Sequence, residues 1–152
     1  MKSVRTIAAV SMLVAAALPA AAQDFDADPN YGAIALRSGF TPDPHRINLR
    51  AGGNLSAQSI SGSCRGSITN APDVRLTFSA GSLPLIISVN SGVDTTLVVN
   101  GPDGQWHCND DANGVNPVLR FNNPQSGRYE IWVGTYSSGA TQPATLSISE
   151  IN

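Results

Sequence analysis

Short runs in which apolar and polar residues alternate fill the chain from Tyr31 onward, and turn residues separate them. Val74, Leu76 and Phe78 share one parity, with Arg75 and Thr77 on the other. Leu85, Ile87 and Val89 repeat the pattern, and so do Leu97 and Val99. The clearest case is Arg128 to Tyr136, where Tyr129, Ile131 and Val133 alternate against Glu130 and Trp132. A period of two residues marks a strand with one face turned to a core. Further strands are expected at 33–36, 45–50, 65–68, 105–108, 118–121 and 144–150. Asp103-Gly104 is a hairpin turn signal between two of them. No stretch after residue 30 carries a 3.6-residue period, and glycine and proline recur too often for long helices. The expected fold class is all-β: a two-sheet antiparallel β-sandwich or jelly roll.

The first 22 residues read differently. Lys2 and Arg5 precede an apolar run from Ile7 to Leu18, and Pro19 and Ala20-Ala21-Ala22 follow. This is the order of a cleaved secretory signal peptide, and the run is too short for the roughly 20 residues of a membrane span. Residues 23–30, polar and acidic, are expected to be a flexible lead-in. Residues 31–152 are expected to form a single domain without a membrane span, periplasmic or secreted. Composition sharpens this. The mature part has seven arginines, no lysine and eleven carboxylates, a net charge of −4. With no basic cluster, nucleic acid is an unsuitable partner. Cys64 and Cys108 are the only cysteines. In an oxidising compartment such a pair is expected to form one disulfide.

Candidate chemistry is sparse. Asn109-Asp110-Asp111-Ala112-Asn113-Gly114 offers oxygen ligands around a glycine turn, as the first half of a calcium loop does. The closing glutamate is missing, because Arg120 stands where it would fall. Asp94 and Asp103 are the carboxylates that could complete a site. The competing reading is a polar loop whose side chains bond their own backbone. For hydrolysis there are only His45 and His107 and no GxSxG elbow. Trp106, Trp132 and Tyr136 are candidate contacts for a protein or carbohydrate ligand. Trp132 has the parity opposite to the core face, so it points either to a partner or beneath a covering loop.

The order of several pieces resembles a known family. Ala80-Gly81 precedes an apolar strand ending Ser88-Val89. Asp94-Thr95-Thr96-Leu97-Val98-Val99, Pro102-Asp103-Gly104, Asn109-Asp110-Asp111 and Ser126-Gly127-Arg128-Tyr129-Glu130-Ile131-Trp132-Val133 follow. From about 75 to 149 this resembles the bacterial pre-peptidase C-terminal (PPC) domain. The resemblance implies a β-sandwich of the kind attached to secreted peptidases, sometimes calcium-binding, here without a peptidase. The expectation is an exported, non-catalytic binding or stabilising module that holds structural calcium between Asp103 and the 109–114 loop. A secreted peptidase-associated protein or hydrolase, and a protein-binding module such as a peptidase inhibitor, stay open beside it.

Overall fold

The computed structural model describes residues 24, 26–137 and 139–151; the expected signal peptide lies outside the described residues. Eleven strands form, in chain order β1 (Ala33–Arg37), β2 (His45–Ala51), β3 (Leu55–Ser56), β4 (Ser67–Ile68), β5 (Val74–Ser79), β6 (Leu85–Ser91), β7 (Thr95–Asn100), β8 (Trp106–Asn109), β9 (Val118–Phe121), β10 (Gly127–Thr135) and β11 (Gln142–Ser149). A single 3-10 turn, Ala57–Ser59, is the only helical element among the described residues.

The strands form two sheets. In the larger, β10 is the hub. It pairs antiparallel with β5 through Tyr129↔Leu76 and with β7 through Val133↔Leu97. Strand β1 lies parallel to β5, and β8 extends from β7 as a hairpin. The short β4 joins the end of β10 at Thr135↔Ser67, and β3 pairs with β4. The smaller sheet runs β2-β11-β6-β9, antiparallel throughout.

The alternating residues face one another across this sandwich. Val74, Leu76, Phe78, Leu97, Val99, Tyr129, Ile131 and Val133 come from the larger sheet, and Leu49, Leu85, Ile87, Val89, Leu146 and Ile148 from the smaller. A sheet with a single apolar face is stable only when that face is covered, and each layer covers the other. Residues 31–69 therefore complete the sandwich through β1 and β2.

The other face of the larger sheet is also covered, which periodicity alone does not reveal. The 55–68 segment lies over it and builds a second core from Ala57, Cys64, Ile68, Val98 and Trp132, with Trp106 and Cys108 packed against it. The Cys64–Cys108 disulfide fastens this segment to β8. Gly53 marks how closely the backbones approach here: a Cβ on it would stand 2.1 Å from the Ile68 carbonyl.

Residues 24 and 26–30 are docked where a flexible lead-in was expected. The Asp24 and Asn30 amides donate to the carbonyls of Asn70 and Pro72. Arg128 pairs with Asp26 at 2.7 Å, and an Arg75 guanidinium nitrogen donates to the Ala27 carbonyl. Beneath this strap lies Glu130, 1 % exposed, with Arg75 at 2.5 Å and Arg128 at 3.0 Å. This buried carboxylate is held by two cations that the strap in turn orients.

Candidate functional site

The six candidate calcium ligands separate in space. Asp94 ends the β6–β7 turn, and Asp103 tips the β7–β8 hairpin. The length of β7 stands between them, about 20 Å at the rise of an extended strand. Because Asn109 pairs with Leu97, the chain after it leaves β8 towards the Asp94 end, so a single ion cannot join Asp103 to the 109–114 loop, which corrects the expected placement. Asn109 is also engaged, because its Oδ1 accepts a hydrogen bond from the Val118 amide at 2.9 Å. Asn113 is exposed and forms a tight turn with Asn116.

Asp94, Asp110 and Asp111 remain at one end of the sandwich. Burial raises the Asp94 pKa from its ordinary value, and the charges of Asp111 and Asp110 raise it further. Its Oδ1 is shielded from solvent and has no hydrogen-bond partner. Asp94 lines a cavity of about 210 Å³ with Thr135, Ser137 and Gln142, and the Thr135 hydroxyl is likewise buried and unpartnered. As the side chains stand, no three carboxylate, imidazole or thiolate groups among the described residues are close enough together to hold a metal ion.

A residue missed by sequence reasoning fixes the loop here. The Asn116 side chain accepts from the Ser91 amide at 3.1 Å and from the Thr95 hydroxyl at 3.3 Å, and donates to the Ser91 carbonyl. One amide thus clips the 109–116 loop to the β6–β7 turn. Only its position in a run of Asn and Asp residues hinted at such a part.

The aromatic candidates also divide. Trp132 has the expected outward parity, yet it is 0 % exposed. Its indole lies 5.4 Å from that of Trp106, and its Nε1 donates to the Asn70 carbonyl at 3.4 Å. The 55–68 segment covers it, so Trp132 is a core residue and not a ligand contact. Trp106 is partly buried in the same cluster. Tyr136 is exposed, beside Gln58 and Arg65 in a shallow polar groove.

At the opposite end, His107 on β8, Phe121 on β9 and Tyr129 on β10 form a ring stack. His107 and Phe121 meet edge to face at 5.0 Å, and Phe121 and Tyr129 at 5.5 Å. The Tyr129 hydroxyl donates to the Gln125 carbonyl at 2.8 Å and accepts from the Gln125 amide at 3.1 Å. With Asp103 and two prolines, these rings line a notch of about 120 Å³. His45 begins β2 at the far end of its pairing with β11.

No family model and no curated protein matches the chain. Among solved structures, the pre-peptidase C-terminal domain of a collagenase from Bacillus anthracis is similar. It is 19 % identical over 81 % of this chain and 100 % of that one, with a TM-score of 0.47. PliG of Aeromonas hydrophila, a periplasmic inhibitor of g-type lysozyme, is 18 % identical over 81 % of this chain and 98 % of that one, with a TM-score of 0.39.

Proposed function

We propose that the mature chain acts in the periplasm or the medium as a non-catalytic binding or stabilising module, and that calcium steadies the Asp94 end of its sandwich. The leader-like first 22 residues and the disulfide support export. The observation that carries the calcium reading is the shielded, unpartnered Oδ1 of Asp94 beside two further carboxylates. The charges of Asp111 and Asp110 make Asp94 costlier to ionise, and a divalent cation relieves that repulsion while supplying the missing partner. Asp94, Asp110 and Asp111 are the residues that would hold it, once Asp110 and Asp111 turn towards Asp94. Loop carbonyls and water would complete the six to eight oxygens that calcium takes.

Thermal unfolding of the oxidised mature protein in calcium and in chelator tests this. A ligand bound only to the folded state at 100 times its dissociation constant adds about 2.7 kcal/mol. For a domain of this size that raises the midpoint by about 10 °C. Replacing Asp94 by Asn should abolish the shift, and Asp103→Asn should leave it intact. A midpoint indifferent to millimolar calcium would retire the ion.

A further inference from the structure

We propose that the notch between the β7–β8 turn and the 122–125 loop receives a lysine or arginine side chain of a basic protein partner. This deepens the reading of the chain as a binding module and rests on it. Three features carry the inference. The walls are mainly apolar and fixed: Phe121 is held edge to face between His107 and Tyr129, Tyr129 is tied to Gln125 through both its donor and its acceptor, Pro102 and Pro124 close the sides, and Asn123 adds a polar edge. The mouth carries a carboxylate. Asp103 Oδ1 accepts from the Gln105 amide at 3.0 Å within its own turn, and none of the ion pairs among the described residues involves Asp103. Its charge reaches inward, since it adds to the rise in the pKa of Tyr129 that burial begins. The third feature is size. Pockets for whole small molecules run from about 300 to 1,000 Å³, and about 120 Å³ admits only a single side chain.

Long cationic side chains match this shape. Their methylene stems cover apolar surface while the charged head stays at the rim, where a carboxylate gives a charge-assisted hydrogen bond. A rigid wall lowers the ordering cost of binding. The partner is basic because the charge of the domain calls for it: a net −4 favours encounter with a positive surface.

Gly101 supplies a specific block. A Cβ there would lie 2.9 Å from Asp103 Oδ1 and 3.6 Å from His107 Nε2. Alanine at this position therefore displaces the flexible carboxylate and spares the backbone. The test is an NMR titration of the isotope-labelled, oxidised mature protein with the N-acetyl methylamides of arginine, lysine and norleucine, and with methyl glucoside. The arginine and lysine probes should move the amide signals of Asp103, His107 and Phe121, and should bind at least fivefold tighter than norleucine. Asp103→Asn and Gly101→Ala should each bring that preference down to the norleucine level, and added salt should weaken it in the wild type. Equal binding of norleucine would overturn the proposal in favour of a merely apolar hole. A response to methyl glucoside in place of the cations would make it a carbohydrate site, and silence from every probe would remove it. The calcium-dependent midpoint of Asp103→Asn is read at the other end of β7, so failure at the notch and failure of the calcium-stabilised module are separable.

Discussion

Protein comprising residues 23–152, with Cys64 and Cys108 both replaced by alanine, should unfold about 15 °C below the same oxidised wild-type segment. The bond closes a 44-residue separation. Constraining a loop of that length costs the unfolded chain about 4 kcal/mol of conformational freedom in the chain-entropy account. Divided by the unfolding entropy of a domain of about 130 residues, this gives the stated shift. The local effect should exceed what entropy alone predicts, because the bond also pins the segment lying over Trp132. In the double variant, indole emission should move to the red at denaturant concentrations below the main transition, as that segment lifts first. Urea titrations followed by fluorescence and by far-ultraviolet dichroism separate the two events. If the two curves coincide and the midpoint matches the wild type, the covering segment is held by the packing of Ala57 and Ile68 and the bond adds nothing.

Stability should fall by up to about 3 kcal/mol between pH 4 and pH 6, with Asp73 as the main cause. This carboxylate is 0 % exposed. Burial pushes its pKa up to about 6, against the opposing pull of the Val133 amide at 2.7 Å and the Asn30 side chain at 3.0 Å. In the unfolded chain it titrates near 3.9. Between those values the folded state holds a proton that the unfolded state has lost, so raising the pH favours unfolding. The stabilisation is complete below the unfolded pKa, is lost as pH rises through about 6, and is flat above. Burial also raises Glu130, despite Arg75 and Arg128, and adds a slope of the same sign. The diagnostic quantity is therefore the difference between wild type and Asp73→Asn in urea midpoints measured from pH 4 to pH 8. The amide variant should flatten most of the slope. Parallel curves for the two proteins would show that Asp73 keeps an ordinary pKa.

The sandwich was legible because its main strands each turn one apolar face to the shared core, and a period of two survives in the text wherever that holds. Val74, Leu76 and Phe78 carry that period in one layer, and Leu85, Ile87 and Val89 carry it in the other. The second core was not legible in the same way. It is assembled from Ala57, Cys64, Ile68, Val98 and Trp132, which come from an irregular segment and two distant strands, so no local period records it. The parity of Trp132 pointed away from the main core correctly, but parity cannot tell water from a covering loop. The strap formed by 24 and 26–30 escaped for a related reason. Its acidic composition suits a solvated tail, and only the arginines of β5 and β10, brought side by side by pairing, make it a docked one. Ligand reasoning failed most at Asp103. Nearness in sequence to the 109–114 loop suggested a shared site, whereas the hairpin sends the two to opposite ends of β7.

The stapled covering segment also changes how the larger sheet can fluctuate. Without the bond, only packing and hydrogen bonds hold the segment over Val98 and Trp132. With it, Cys64 stays within a side chain's reach of β8 whenever the packing loosens, so each local opening is shorter and narrower. The bond thus works as a hinge pin for a cover that has no regular sheet of its own.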